Sequence, residues 1–245
     1  MIDSDSSMET FLVTGANRGV GFELTRQLLN SGQRVVAGCR SPDDADRLTA
    51  LSGDKEHLLV VQMDVADESS VRAAAATAAK HFDQIDVLIN NAGILLAGET
   101  IESIDIEKMQ RVLDVNTIGP VRVVKYFLPL MTAGSAATNR TGRIINISSQ
   151  LGSLDLNGQR RCGEFSYNAS KAGLNVVTRM LAHDLKEQQI VVVSVHPGWV
   201  RTDMGGSQAD VSPTESAAGI LSLAKRLTAE DTNKFFTYTG QSHEW

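Results

Sequence analysis

A doubly wound α/β fold, a single domain built on a seven-stranded parallel sheet, is predicted by three observations. Short apolar runs rich in β-branched residues alternate with helical stretches along the chain. The first of those runs feeds directly into a glycine turn that opens a helix. No linker rich in Pro, Gly or Ser divides the 245 residues, a length that a single α/β domain with a large core can use.

The elements follow in order. Thr10–Thr14 is short, apolar and β-branched, and reads as a buried strand. Gly15 to Gly21 then forms a glycine turn, and Phe22, Leu24, Leu28 and Leu29 mark an amphipathic helix ending near Ser31 and Gly32. The remaining strand candidates are Arg34–Cys39, Leu58–Met63, Ile85–Asn90, Arg143–Ser148, Ile190–His196 and Phe235–Tyr238. Between them lie the Ala-rich helix Glu68–Phe82, a long helix over Ile106–Met131 and another over Ser166–Gln188. Repeated strand–helix–strand units with right-handed crossovers give a parallel sheet covered on both faces. Residues 1–8 are polar and acidic and read as a disordered tail, leaving 9–245 as the domain.

Composition narrows the function. The net charge of -6 and the lack of a dense Lys/Arg run argue against general binding to nucleic acid or an anionic membrane. The opening residues have neither the charge nor the apolar run of a secretory signal or transit peptide. Cys39 and Cys162 show no metal-ligand spacing, and a reducing cytoplasm suits them better than a disulfide framework. No metal site is expected at His57, His81, His183, His196 or His243, and His196, at a strand end, reads as structural. No Gly-x-Ser-x-Gly elbow supports a nucleophilic serine enzyme.

Two patterns carry chemistry. In Gly15-Ala16-Asn17-Arg18-Gly19-Val20-Gly21, glycines let the backbone turn sharply and approach a ligand, and the free N–H groups of the following helix favour a pyrophosphate. In Tyr167-Asn168-Ala169-Ser170-Lys171, the phenol and the ammonium are four residues apart and share one face of a helix. A nearby cation is expected to lower the pKa of the phenol, so that it can exchange a proton with a substrate oxygen.

Taken together, Thr14-Gly15-x-x-x-Gly19-x-Gly21, Asn90-Asn91-Ala92-Gly93, Asn116, Ser149 and Tyr167-x-x-x-Lys171 resemble the classical short-chain dehydrogenase/reductase family across nearly the whole chain. The stretch Val195 to Gly206 and the terminal Tyr238-Thr239-Gly240…Trp245 further resemble its C-factor and sniffer-like carbonyl reductase branch. The resemblance implies a Rossmann fold and reduction of the carbonyl of a small aldehyde or ketone to an alcohol by hydride transfer. It makes Tyr167 the general acid, Ser149 a hydrogen-bond donor to the substrate oxygen and Lys171 a ligand of the nicotinamide ribose. Asn116 would hold a water that links Lys171 to solvent, while Ser148, beside Ser149, reads as structural. Asp64 and Val65 would meet the adenine, Asn91, Ala92 and Gly93 the adenine-ribose side, and Pro197, Gly198, Val200 and Thr202 the nicotinamide. A homodimer or homotetramer built on the two long helices is also implied, with Leu174, Val177, Met180 and Leu181 offering apolar surface around the second of them.

Cofactor choice follows from the end of the second strand. An acidic residue about 20 positions after the glycine turn selects NAD by binding its ribose 2′-hydroxyl. Here the strand ends in Cys39-Arg40, and a guanidinium suits a 2′-phosphate, with Arg18 flanking the same group. NADP(H) is therefore expected over NAD(H), although Asp43, Asp44 and Asp46 stand close by. The alternative to an enzyme is a non-catalytic, NADP(H)-binding signalling or regulatory protein on the same fold, against which the intact Ser149, Tyr167 and Lys171 argue.

Two stretches depart from common relatives. The loop Gln150 to Ser166, carrying Asp155, Asn157, Arg160, Arg161 and Glu164, is long and should border the active site. After Thr202 the chain passes quickly to Pro213, which predicts a short, flexible lid and an open pocket.

Overall fold

The computed structural model describes residues 8–51, 56–138, 141–157 and 164–245. The tail 1–7 and Arg160, Arg161 and Cys162 of the long loop lie outside the described residues.

Seven strands form one parallel sheet in the order β3-β2-β1-β4-β5-β6-β7. They are β1 Thr10–Thr14, β2 Arg34–Cys39, β3 Leu58–Gln62, β4 Val87–Asn90, β5 Gly142–Ile147, β6 Ile190–His196 and β7 Lys234–Thr237. The predicted strands all form, with small shifts at their ends. β4 begins at Val87 rather than Ile85 because Ile85 N donates to Leu130 O and Asp86 N to Thr10 O, outside the regular ladder. β3 and β5 each close one residue earlier than expected, and β7 is displaced by one residue toward the N-terminus.

The pleat divides the core in two. Phe11 and Val13 face the layer under α1 (Gly19–Asn30) and α8 (Pro213–Arg226), where Leu24, Leu28, Ile220 and Ala224 pack. Leu12, between them, faces the layer under α3 (Glu68–Ala78), α5 (Gly119–Thr138) and α7 (Phe165–Asp184), where Val71, Val123, Phe127 and Ala182 pack. Burial on both faces explains why the strands read as continuous apolar runs.

Helix starts follow capping chemistry. Asp67 accepts from Ser69 N at 2.8 Å to open α3, and Asp105 accepts from Lys108 N at 3.1 Å to open α4 (Ile106–Leu113). Ser212 caps α8 by accepting from Glu215 N at 3.1 Å, with Pro213 in the first turn. The Ala-rich helix ends at Ala78, short of the expected Phe82, as tighter turns take over at Lys80 and His81. Among the described residues there are also two short helices, α2 (Asp46–Thr49) after β2 and α6 (Leu154–Asn157) after β5.

The expected single helix Ile106–Met131 is broken. Residues Asp114–Ile118 form a π-turn between α4 and α5, with Gly119 N bonded to Asp114 O. The wider turn carries Asn116 toward the start of the β4–α4 connection and toward α7, where its side chain is bonded.

Candidate active site

A cleft of about 980 Å³ runs along the carboxyl ends of β1 to β6, spanning the point where strand order reverses between β1 and β4. Every residue expected to bind cofactor lines it: the turn residues Gly15, Asn17, Arg18, Gly19 and Val20, Arg40 after β2, Asp64 and Val65 after β3, and Asn91, Ala92 and Gly93 after β4. Pro197, Gly198, Val200 and Thr202 after β6 close the opposite wall, and Ser149, Tyr167 and Lys171 stand between.

The glycine turn is held open by its neighbours. Gly15 has φ +65°, and a Cβ there would come within 3.0 Å of Ala92 Cα, so a side chain is excluded twice over. Asn91 Nδ2 donates to Thr14 O at 2.9 Å and Gly15 O at 3.2 Å, while Thr14 Oγ1 accepts from Asn91 N and Ala92 N, each at 3.0 Å. Arg18, at the start of α1, gives no side-chain cap, so the first N–H groups of that helix remain available for an anion in the cleft. Those bare donors beside a glycine-rich turn fit a dinucleotide pyrophosphate.

Cations gather at the far end. Arg40 is exposed there, and Arg47, which no sequence motif singles out, also lines the cleft with its guanidinium 4.2 Å above the Phe22 ring. Arg18 Nη1 lies 3.1 Å from Asp203 Oδ2, an exposed ion pair between the glycine turn and the segment after Thr202. That segment is short, as expected, but it is stitched rather than loose. Trp199 Nε1 donates to Gly205 O at 2.8 Å, Gly205 N donates to Thr202 Oγ1 at 3.2 Å, and Arg201 Nη1 donates to both Ala209 O and Asp210 O at 2.8 Å.

Tyr167 and Lys171 occupy successive turns of α7, as their spacing requires, and both are buried. The Lys171 Nζ is 5.6 Å from the Tyr167 ring centroid and donates to Ile147 O at 2.7 Å. The Tyr167 hydroxyl is hydrogen-bonded to Ser149, whose Oγ also accepts from Leu151 N at 3.1 Å. Burial pushes the Tyr167 phenol up to about 12, the Ser149 hydrogen bond opposing it and the Glu164 charge adding to it. Burial also pushes the Lys171 ammonium down to about 8. The expected lowering of the phenol by the lysine is therefore reversed, because desolvation of the buried phenol dominates and the ammonium is turned to a backbone carbonyl.

Gly152 brings the segment after Ser149 against α7: a Cβ there would lie 2.6 Å from the Lys171 carbonyl carbon. Ser148 Oγ donates to Asn175 Oδ1 at 2.7 Å and so serves the packing of β5 on α7, in line with its structural reading. Asn116 is fully buried and is not part of the cleft wall. Its Oδ1 accepts from Ile94 N at 2.9 Å, and its Nδ2 donates to Ile94 O at 2.8 Å and Ser170 Oγ at 2.9 Å. Both amide protons are thus spent on fastening the β4–α4 connection to the helix of Tyr167. His196, read as structural, lies on the cleft wall.

The chain matches the short chain dehydrogenase family over residues 9–212, and it belongs to that family. The NADPH-bound carbonyl reductase from chicken fatty liver superposes with a TM-score of 0.91 at 35% identity, covering 97% of this chain and 99% of that one. The carbonyl reductase Sniffer of D. melanogaster gives 0.91 at 32% identity, covering 98% and 100%. C-signal of Myxococcus xanthus is 36% identical over 161 residues, 66% of this chain and 93% of the relative. Among the described residues, no helix is long and apolar enough to cross a membrane.

Proposed function

We propose that this oxidoreductase is an NADPH-dependent carbonyl reductase that converts a small aldehyde or ketone to its alcohol, with Tyr167 as general acid. The observation that carries the reading is Tyr167 itself, buried in the cleft, hydrogen-bonded to Ser149 and one helical turn from Lys171. NADPH, when bound, supplies the hydride. The Tyr167 hydroxyl donates its proton to the carbonyl oxygen, and a phenol pushed up to about 12 by burial carries that proton at neutral pH. Ser149 Oγ donates a second hydrogen bond to that oxygen, and a preorganised donor of this kind contributes ~3 kcal/mol. Leu95, Leu151, Trp199 and Met204 give this end of the cleft an apolar wall suited to the hydrocarbon part of a substrate. Following NADPH absorbance with aldehydes, ketones and diketones tests the reading. Binding of NADPH without turnover of any of them would overturn it in favour of a regulatory protein.

Arg40 and Arg18 are assigned to the 2′-phosphate. Arg40→Asp is expected to weaken NADPH by about 2 kcal/mol, roughly thirtyfold, while NADH changes far less, since charge-assisted hydrogen bonds contribute ~1.5–3 kcal/mol. Fluorescence titration with both cofactors checks this, and equal losses for the two would release Arg40 from the role.

A homodimer is the proposed assembly, with only Met180 of the four apolar residues expected to form its surface left exposed. Leu174 is buried and Leu181 packs against the core, leaving Val176 and Met180 of α7 exposed, together with Ile106 of α4, Ile118 of the π-turn and Val121 of α5. Large apolar side chains left uncovered on neighbouring helices suit a self-complementary contact. Light scattering is expected to give about twice 26.4 kDa, and a single 26.4 kDa species at micromolar concentrations would exclude the dimer. A reducing cytoplasmic setting is likewise proposed, supported by the buried, unpaired Cys39.

A further inference from the structure

The helix that carries Tyr167 is capped by a carboxylate from a distant part of the chain. Glu99, in the β4–α4 connection, is 8% exposed. Its Oε2 accepts from Ser166 N at 2.8 Å and its Oε1 accepts from Ser166 Oγ at 2.5 Å, across 67 residues of sequence. Ser166 is fully buried, lies in the first turn of α7 and directly precedes Tyr167. The local residue at the helix start, Glu164, makes no side-chain cap hydrogen bond. A carboxylate at a helix N-terminus is favoured by the bare N–H groups there, and two short charge-assisted bonds to one residue fix the direction of the turn.

The same connection forms one wall of the cleft. Leu95 and Ala97 line it, and Ile94 is clamped by Asn116, which in turn donates to Ser170 on α7. Asn116 and Glu99 thus fasten the connection to α7 on either side of Tyr167, at Ser170 and at Ser166.

We propose that Glu99 is a positioning residue for the proton donor, capping α7 from the β4–α4 connection and holding the Tyr167 hydroxyl against Ser149. The proposal rests on Tyr167 being the general acid. Glu99 touches no substrate in this role and acts through Ser166.

Glu99→Ala is expected to lower kcat by roughly ten- to a hundredfold, the scale that misplacement of a catalytic group by about 1 Å produces, with NADPH affinity kept within twofold. Glu99→Gln retains an acceptor oxygen and is expected to recover part of that loss. Ser166→Ala removes only the hydroxyl bond and should cost less than Glu99→Ala, and the double variant should cost no more than Glu99→Ala alone, because the two residues act as one unit. If Glu99→Ala does not fold, Glu99→Gln and Ser166→Ala carry the same test. A second readout is independent of turnover: the chain has three tyrosines, so ¹³C-labelling the tyrosine ring gives a resolvable Tyr167 signal, which should shift in the Glu99 variants. A fall in melting temperature with kcat per folded molecule and the Tyr167 signal both unchanged would make Glu99 a stability cap only and overturn the proposal. Persistent activity in Tyr167→Phe would instead sink the assignment of the acid, a result separate from that one.

Discussion

Tyr167→Phe is expected to reduce turnover by ~10²–10⁴-fold, the usual contribution of a positioned general acid, while cofactor affinity stays within about twofold. The substitution keeps the ring that fills its buried site and removes only the hydroxyl. Ser149 loses that partner but keeps Leu151 N at 3.1 Å, so no buried acceptor is stranded and the cost in stability should stay near ~1 kcal/mol. Single-turnover absorbance with saturating NADPH measures the chemical step, and fluorescence titration measures binding. A variant with more than a tenth of wild-type kcat would remove Tyr167 from the acid role.

How far the site can be read from sequence depends on the range of the forces involved. The glycine turn is legible because strand, turn and helix follow one another, and Gly15 is required by its own backbone angle. The alignment of Tyr167 with Lys171 is legible because helical spacing alone settles it. The protonation energetics are not, since the direction of the Tyr167 shift depends on how deeply α7 is buried and on Lys171 turning to Ile147 O. The π-turn at Asp114–Ile118 is equally hidden: apolar periodicity runs through it, and only the bonds of Asn116 to Ile94 and Ser170 reveal why the helix widens there.

Glu99 and Arg47 show the same limit. Each is a charged residue in a polar stretch, which from sequence reads as a solvated face. Glu99 acquires its role by burial against Ser166, and Arg47 by lying over Phe22 at the edge of the cleft. The lid is a milder case, because the short spacing from Thr202 to Pro213 fixes its length while the bonds of Trp199 and Arg201 that tie it down need the fold.

Lys171→Met is expected to cost about a hundredfold or more in kcat/KM at pH 7 and to weaken cofactor binding as well, because it removes the one cation beside Tyr167 on α7, a charge that stabilises negative charge developing on the phenol oxygen as its proton leaves. The wild-type pH profile carries its signature. Among the described residues no carboxylate pairs with the Lys171 ammonium, and burial lowers it to about 8. In the free enzyme the charge is present below that value and lost above it, so kcat/KM for reduction should be flat through neutrality and fall as pH rises through about 8. Tyr167, at about 12, contributes nothing to that limb. Lys171→Arg keeps its charge throughout and should push the limb out of the measured range, even if its bulk lowers the plateau. An alkaline limb unmoved in Lys171→Arg would assign it to another group. Denaturation supplies the independent check. The folded chain sheds the Lys171 proton near 8 and the unfolded chain near 10.5, so between these values the unfolded state binds more protons and wild-type stability rises with pH, by about 1.4 kcal/mol per unit. Lys171→Met lacks that term, so urea unfolding of the two cofactor-free proteins should show wild type gaining about 2 kcal/mol on the variant between roughly pH 8 and 9.5.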